Sequence, residues 1–282
     1  MTSKILNPAG RGPAGGVLGG LLPALVALLT ALLAGCAIPI AETQRDSADL
    51  KTSSDQTSAE RRAQLRLELA AGYFGRGQYT TALDEVKLAI AAKPEVPEAF
   101  NLRGLIYAAL AQPKLAEESF RRALQLAPRD PDTMHNFGWF LCQERRYPDA
   151  EEQFRNALAQ PQYRDPARTL FTLGVCQART ARWAEAEGSL SKAYEMDPAN
   201  PMTAYNLSDV LYRRGEFERA RFYMRRVNAQ QDVSNAQTLW LAARIENKLG
   251  NPSGARALGT QLRDRFPQSP EALSFDRGRF DD

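Results

Sequence analysis

The stretch "NFGWFLCQERRYPDAEEQFRNAL", Asn136–Leu158, contains the pattern that decides the fold of this chain. Its Gly138 has a counterpart 34 residues earlier at Gly104, and its Ala150 has one 34 residues earlier at Ala116. A fixed period of this length indicates one supersecondary unit that is used again and again. We therefore expect a repeat protein, in which each unit buries its apolar face against its neighbours.

Six consecutive units of this pattern fill the chain from residue 61 onward. They start at Ala63, Pro97, Pro131, Ala167, Pro201 and Ala236. The eighth position of each unit holds a small residue: Ala70, Gly104, Gly138, Gly174, Ser208 and Ala243. The twentieth position holds alanine in every unit: Ala82, Ala116, Ala150, Ala186, Ala220 and Ala255. Small side chains at both positions let two antiparallel helices approach closely, because larger ones would force them apart.

These positions resemble the tetratricopeptide repeat, in which position 8 is small, positions 11 and 24 are large and position 32 is proline. The large residues at position 24 are Val86, Phe120, Phe154, Leu190 and Met224. Glycine stands where the first helix of a unit must end in a left-handed conformation, at Gly77, Gly215 and Gly250. The resemblance implies an all-α fold, a right-handed superhelix of six tetratricopeptide helix-turn-helix repeats with twelve helices.

The repeat domain is predicted to span residues 61–270, and residues 271–282 are predicted to form a C-terminal tail. Unit six departs most from the pattern, with Glu246 at position 11 and Gly259 at position 24. We expect this unit to act as a terminal cap or as a loosely packed end, as terminal repeats often do.

The amino terminus has the composition of a signal peptide. Residues 1–35 contain no acidic side chain and only Lys4 and Arg11 as charges, and an apolar run leads to small residues before Cys36. An uncleaved spanning helix is the weaker alternative. Two glycines and Pro23 interrupt the run, which barely reaches the roughly 20 residues that a bilayer requires.

The segment "LAGC", Leu33–Cys36, resembles a bacterial lipobox. The resemblance implies that Cys36 is lipidated and becomes the first residue of the mature protein. Several acyl chains on one residue give stable membrane anchoring. Ala37, rather than aspartate, follows the cysteine, and by resemblance to lipoproteins of two-membrane bacteria this favours export to the outer membrane. We therefore expect a lipid-anchored protein on the periplasmic face of that membrane.

Residues 36–60 are predicted to be the lipidated cysteine and a flexible tether, because Ala37–Glu60 is polar and has no apolar helical stripe. Removal of the signal peptide takes away two basic side chains and reduces the formal net charge of +3 to about +1. So small a charge does not attract nucleic acid or an anionic membrane surface. The expected partner is a protein.

The chain shows no recognisable catalytic site. His135 is its one histidine, which excludes catalytic triads and zinc sites built on paired histidines. Carboxylates such as Glu117 and Glu151 lie at helical positions close to arginines, as on the solvated face of a helix. We expect a protein that is not an enzyme and that has no cofactor, metal or small-molecule substrate.

Cys142 and Cys176 fall on the first helices of units three and four. In an oxidising compartment they would form a structural disulfide, provided that their α-carbons come within about 7 Å. The alternative is a pair of small buried hydrophobic residues that never meet. The sequence leaves both interpretations open.

The expected binding surface is the concave one, which in this repeat class is formed by positions 2, 5, 9, 12 and 13 of each first helix. The selected groove residues are Leu67, Phe74, Leu105, His135, Trp139, Phe171, Tyr205 and Tyr212, and unit six adds Trp240 and Arg244. Such a row suits an amphipathic helix or an extended peptide, although any single member could instead pack between helices. Two contact patches are expected: Leu67, Phe74 and Leu105 in one, and Trp139, Phe171 and Tyr205 in the other.

The lipobox, the tether and the six units together resemble the type IV pilus biogenesis and stability lipoproteins, the PilF/PilW-type pilotins. Asn136–Leu158 and "TLGVCQARTARWAEAE", Thr172–Glu187, carry this resemblance most clearly. It implies an outer-membrane lipoprotein that binds the secretin subunit of the pilus system and promotes its localisation and multimer assembly, and hence pilus formation and twitching motility. The alternative is a tetratricopeptide lipoprotein scaffold for other periplasmic clients, such as cell-wall hydrolases or outer-membrane assembly factors.

Overall fold

The computed structural model describes residues 57–230 and 232–280. Every regular element within these ranges is an α-helix, and there are thirteen of them. They are α1 Ser58–Gly75, α2 Tyr79–Ala92, α3 Pro97–Ala109, α4 Pro113–Leu126, α5 Pro131–Gln143, α6 Tyr147–Leu158, α7 Pro166–Ala178, α8 Trp183–Met196, α9 Pro201–Arg213, α10 Phe217–Asn228, α11 Ala236–Lys248, α12 Pro252–Arg265 and α13 Pro270–Asp276. The predicted signal peptide, Cys36 and most of the predicted tether lie outside the described residues.

The first twelve helices pack as six hairpins, α1 with α2, α3 with α4, and so on to α11 with α12. Each hairpin corresponds to one predicted unit, and α3, α5, α9 and α11 begin at the predicted unit starts. Short loops join the two helices of a hairpin, which makes them antiparallel neighbours. The prediction of an all-α fold built from six two-helix repeats is confirmed.

The first helices of the units form one continuous layer. Each of them contacts the first helix of the next unit, from α1 through to α11. In the described part of the chain, the second helices of neighbouring units have no α-carbons within 8 Å of one another. A stack of hairpins curves toward the layer whose members are more closely spaced, so the first helices lie on the concave side.

Helix α1 begins at Ser58, inside the segment that was predicted to be a tether up to residue 60. Thr57 caps it: the Thr57 hydroxyl accepts a hydrogen bond from the Glu60 amide at 3.1 Å, and the Glu60 carboxylate accepts one from the Thr57 amide at 2.8 Å. This is a capping box, which satisfies two free amides at the start of a helix. The Lys93 ammonium, 2.6 Å away, and Thr57 lower the pKa of Glu60 to about 2.

Close approach within a hairpin depends on the small residue at position 8. A β-carbon added at Gly104 would lie 2.7 Å from the Phe120 ring, and one added at Gly138 would lie 2.8 Å from the Phe154 ring. Both rings are fully buried. The pairing of a small residue at position 8 with a large one at position 24 therefore fixes how closely the two helices of a unit approach.

Ion pairs connect the second helix of one unit to the start of the second helix of the next. Arg146 precedes α6 and lies 2.7 Å from Glu117 of α4, and Arg182 precedes α8 and pairs with Glu151 of α6. The sequence interpretation of Glu117 and Glu151 as a solvated charge face therefore omitted a contact between units. On the outer side, these ion pairs join the second helices of units two to four, and between α8 and α10 the rings of Tyr194 and Tyr223 also pack, 5.0 Å apart centroid to centroid.

Residues 271–282, predicted as a C-terminal tail, contain most of a thirteenth helix, α13, which packs on α11 and α12. Its Phe275 ring lies against Gly259, where an added β-carbon would be only 1.9 Å from a ring carbon. This contact explains the departure of unit six, because the large residue that position 24 lacks is supplied by α13. Unit six is thus a packed repeat with a helix over its end, and α13, not unit six, is the cap.

Cys142 of α5 and Cys176 of α7 form a disulfide, with their α-carbons 6.0 Å apart. Both side chains are completely buried. Of the two interpretations that the sequence leaves open, the structure contains the covalent one. The bond joins the first helices of units three and four, which are already neighbours in the concave layer.

Candidate functional site

The concave layer presents a row of apolar and aromatic side chains, one or more from each first helix. Seven of the eight predicted groove residues are half-buried: Leu67, Phe74, Leu105, Trp139, Phe171, Tyr205 and Tyr212. Each packs with one side on a buried core cluster and leaves the other side accessible. A row of rigid rings whose rotamers are already restricted can bind a partner segment at a low cost in conformational entropy.

The eighth predicted groove residue, His135, is buried, with only 6% of its surface exposed. Its Nδ1 lies 2.8 Å from the Thr169 hydroxyl, which also hydrogen bonds to Tyr163, and its ring packs 6.0 Å from that of Phe154. Burial, with a smaller contribution from the Arg168 charge, lowers the pKa of His135 to about 4. The prediction that His135 lines the groove was therefore wrong, because its ring packs between α5 and α7.

The middle of the groove is centred on Trp139. The Arg179 guanidinium lies over the indole at 5.0 Å from the ring centroid, which is within the range of a cation–π contact. Leu105 packs against the same core cluster as Trp139. Sequence reasoning missed Arg179, although it stands at position 13, which is one of the groove positions.

The predicted groove residues rest on three separate cores. Leu67 and Phe74 rest on the core of the first units, whereas Leu105 shares a core with Trp139 rather than with them. A third group rests on one further core and consists of Phe171, Tyr205 and Tyr212. The groove therefore has an amino-terminal, a middle and a carboxyl-terminal part.

The carboxyl-terminal part combines aromatic rings with a positive charge. The Arg244 guanidinium lies 4.7 Å from the centroid of the Tyr212 ring. Burial, assisted by the Asp209 carboxylate, raises the pKa of Tyr205. The Trp240 ring completes this part of the surface and is half-buried.

The same end of the groove is covered by the last described residues. The Phe280 ring lies 5.3 Å from that of Trp240, centroid to centroid. The Phe280 carbonyl accepts hydrogen bonds from Arg244 Nε at 3.0 Å and from the Tyr212 hydroxyl at 3.4 Å. Sequence reasoning placed Phe280 in a C-terminal tail, and the one signal for its contacts was an aromatic residue in the otherwise polar stretch 276–282.

In the ranges that the structure describes, no three His, Cys, Asp or Glu side chains are grouped so that they could hold a metal ion. None of the described helices has the length and apolar character needed to cross a membrane. What the groove offers chemically is a surface of rings, aliphatic groups and guanidinium groups. Such a surface binds segments that carry apolar side chains and acceptor oxygens.

Models of the tetratricopeptide repeat match residues 97–130, 141–201 and 179–245. The chain contains tetratricopeptide repeats. The predicted all-α tetratricopeptide superhelix is confirmed by this match together with the thirteen described helices.

The chain is similar to the type IV pilus assembly protein PilF of Pseudomonas aeruginosa, at 29% identity over 243 residues, which is 86% of this chain and 93% of PilF. The solved structure of P. aeruginosa PilF matches with a TM-score of 0.71 at 26% identity and covers 79% of this chain and 100% of its own. PilW, described as a widely conserved type IV pilus biogenesis factor, matches with a TM-score of 0.70 at 29% identity over 75% of this chain and 97% of its own. The similarity to PilF and PilW supports a role in type IV pilus biogenesis.

Proposed function

We propose that this protein is an outer-membrane lipoprotein that binds the secretin subunit of a type IV pilus system and promotes its localisation and multimer assembly. Two observations support the proposal. The first is the similarity over most of the chain to PilF and PilW, which are a pilus assembly protein and a pilus biogenesis factor. The second is the groove, and in particular the half-buried Trp139 beneath Arg179 at its centre.

In this proposal three parts of the chain have separate tasks. Lipid on Cys36 anchors the protein to the outer membrane, residues 37–56 give it reach, and the groove holds the secretin. The groove carries the binding task because its rings are accessible on one side and fixed by the core on the other. Central aromatic residues flanked by arginine are the side chains that most often dominate a protein interface.

The groove is tested by removing the Trp139 ring. We expect Trp139→Ala to weaken binding to the purified secretin by about 2 kcal/mol, or about 30-fold, because central interface tryptophans contribute on this scale. Phe222→Ala is the matched control. Phe222 is 55% exposed and lies on α10, which is the second helix of its unit and does not line the groove. Binding is measured by surface plasmon resonance, with thermal melting to confirm that both variants fold. Unchanged binding by folded Trp139→Ala would contradict the groove as the secretin site.

The anchor is tested in cells with Cys36→Ala and with a deletion strain. Secretin multimers that resist heating are followed on gels of separated inner and outer membranes, together with twitching motility. We expect loss of outer-membrane multimers in the deletion strain and mislocalised multimers in the Cys36→Ala strain. Normal multimers in the deletion strain would remove the secretin role and leave a scaffold for other periplasmic clients.

A further inference from the structure

The last described residues lie in the groove because α13 continues the repeat pattern. Pro270, its first residue, comes 34 residues after Ala236, the start of unit six. Helix α13 packs on α11 and α12, as the first helix of a seventh unit would. It has no second helix in the described residues, so the chain is free to take another course after Asp276.

A tight turn then directs the chain back toward the groove. Gly278 has a φ of +65°, a conformation that glycine adopts without strain. The Gly278 amide donates to the Phe275 carbonyl at 2.9 Å, and the Arg279 amide donates to the Ser274 carbonyl at 3.0 Å. These two bonds close the end of α13 and define the direction in which Phe280 leaves it.

Phe280 makes the contacts that a bound peptide residue would make. Its ring packs on two rings, those of Trp240 at 5.3 Å and Phe275 at 5.7 Å. Its backbone carbonyl is held by two side-chain donors, Arg244 and Tyr212, rather than by another backbone group. An aromatic anchor combined with hydrogen bonds to the peptide backbone is a general mode of peptide recognition.

We propose that Tyr212, Trp240 and Arg244 form a subsite for an aromatic residue in an extended peptide segment, and that the chain's own Phe280 occupies this subsite as an internal competitor. A partner segment with an aromatic residue binds at the carboxyl-terminal end of the groove only when it displaces Phe280. This inference rests on the proposed function in one respect: it takes the natural partner that competes with Phe280 to be a protein segment. The occupant in the resting protein is the segment 277–280.

The expected strength of this competition follows from the tether. A segment attached by a short linker acts at an effective concentration on the order of 1 mM. If it occupies the subsite about nine-tenths of the time, the same segment as a free peptide binds with a Kd on the order of 0.1 mM. The segment then weakens the apparent affinity of a competing partner by about tenfold.

The test uses a synthetic peptide with the sequence of residues 276–282, DRGRFDD, labelled with a fluorophore. It is titrated against the unaltered protein and against a variant that lacks residues 279–282 but keeps α13 and Phe275. We expect saturable binding to the shortened variant and about tenfold weaker binding to the unaltered protein. The same peptide with alanine in place of phenylalanine is the control for the ring, and Arg244→Gln in the shortened variant is the control for the carbonyl contact. Both controls are expected to lose binding at least fivefold.

Equal binding of the peptide to both proteins, or no binding to the shortened variant, would overturn the inference. Phe280→Ala in the full chain provides a second variant, which removes the ring without shortening the protein. It is expected to bind the peptide as the shortened variant does, and no gain in peptide binding over the unaltered protein would count against the inference.

Failure of the proposed function gives a different result. The purified secretin is titrated against the unaltered protein and Phe280→Ala, and we expect about tenfold tighter binding to the variant. Peptide binding without secretin binding would retain the subsite and reject the secretin as partner. Equal secretin affinity for both proteins, with no peptide binding, would retain the secretin and reject the internal competitor.

Discussion

At the scale of single residues, the contact between Gly259 and Phe275 shows that the residue type at one repeat position can be explained only together with the side chain that packs against it. In units two and three, the glycine at position 8 and the phenylalanine at position 24 come from the same hairpin. In unit six the ring comes from α13, and position 24 is the residue that must be small. The sequence shows that Gly259 breaks the pattern, but not which residue fills the space, because no other unit has an aromatic residue at the repeat position of Phe275.

We expect Gly259→Ala to reduce the free energy of unfolding by about 2–3 kcal/mol, because the added methyl group overlaps the buried Phe275 ring. Gly188→Ala is the matched control, since nothing lies within 4 Å of an added β-carbon there. In the helix α8, the control is expected to raise stability by about 0.5–1 kcal/mol. Urea unfolding followed by circular dichroism measures both. A neutral Gly259→Ala would mean that α13 does not pack as described.

The buried His135 makes stability depend on pH. Its pKa is about 4 in the folded protein, against an ordinary value of 6.5, so the unfolded chain takes up the proton first as the pH falls. The stabilisation is complete above pH 6.5 and is lost as the pH falls toward 4, by about 2–3 kcal/mol at pH 4.5. His135→Gln should remove this part of the loss, because glutamine does not titrate. Urea midpoints at pH 7 and pH 4.5 test this, and equal pH dependence in both proteins would contradict it.

At the scale of the elements, all six first helices end in the same way. The residue at position 15 has a positive φ in every unit: Gly77, Ala111, Arg145, Ala181, Gly215 and Gly250. Sequence reasoning located this feature only where glycine marks it. In units two to four, the hairpin imposes the left-handed conformation on alanine or arginine, which costs about 1–2 kcal/mol per residue.

Replacing these residues by glycine should therefore stabilise the protein. We expect Ala181→Gly to raise the free energy of unfolding by about 0.5–1 kcal/mol, since the relief of strain exceeds the entropy that glycine loses on folding. Ala257→Gly, in the exposed middle of α12, is the control and should lower it by about 1 kcal/mol. Thermal melts of the two variants show whether each substitution raises or lowers the stability of the protein. If both variants lost stability equally, position 15 would carry no strain.

Most of the helices could be predicted from the sequence, because the same residue types recur at the same positions of each repeat. Pro97, Pro131 and Pro201 mark helix starts, and the alanines at position 20 mark the close crossing within each hairpin. Features that do not recur from repeat to repeat could not be predicted in this way. The exclusion of His135 from the groove and the position of Phe280 both depend on contacts between distant residues, which single positions do not encode.

At the scale of the whole molecule, stability comes from neighbouring units, because each hairpin buries its apolar faces only on the adjacent ones. The disulfide between Cys142 and Cys176 adds one covalent link to this chain of neighbours. It joins units three and four, where the loop between the hairpins, 159–165, has seven residues, against four at 93–96, 127–130 and 197–200.

We expect the double variant Cys142→Ala and Cys176→Ala to lose about 3–4 kcal/mol of stability, the loop-closure entropy for a separation of 34 residues. Guanidinium unfolding with and without a reductant measures this loss. The reductant should destabilise the unaltered protein and leave the double variant unchanged. A reductant effect of equal size in both proteins would show that the loss does not come from this bond.

The two sides of the curved layer respond differently to bending. Opening the groove pulls apart first helices that are packed on one another, and close-packed interiors resist such separation. Closing it spreads the outer helices, which from α4 to α8 are joined across units by long arginine side chains that can extend and that contribute little individually. The groove is therefore easier to narrow around a slender segment than to widen. The disulfide between Cys142 and Cys176 stiffens its centre.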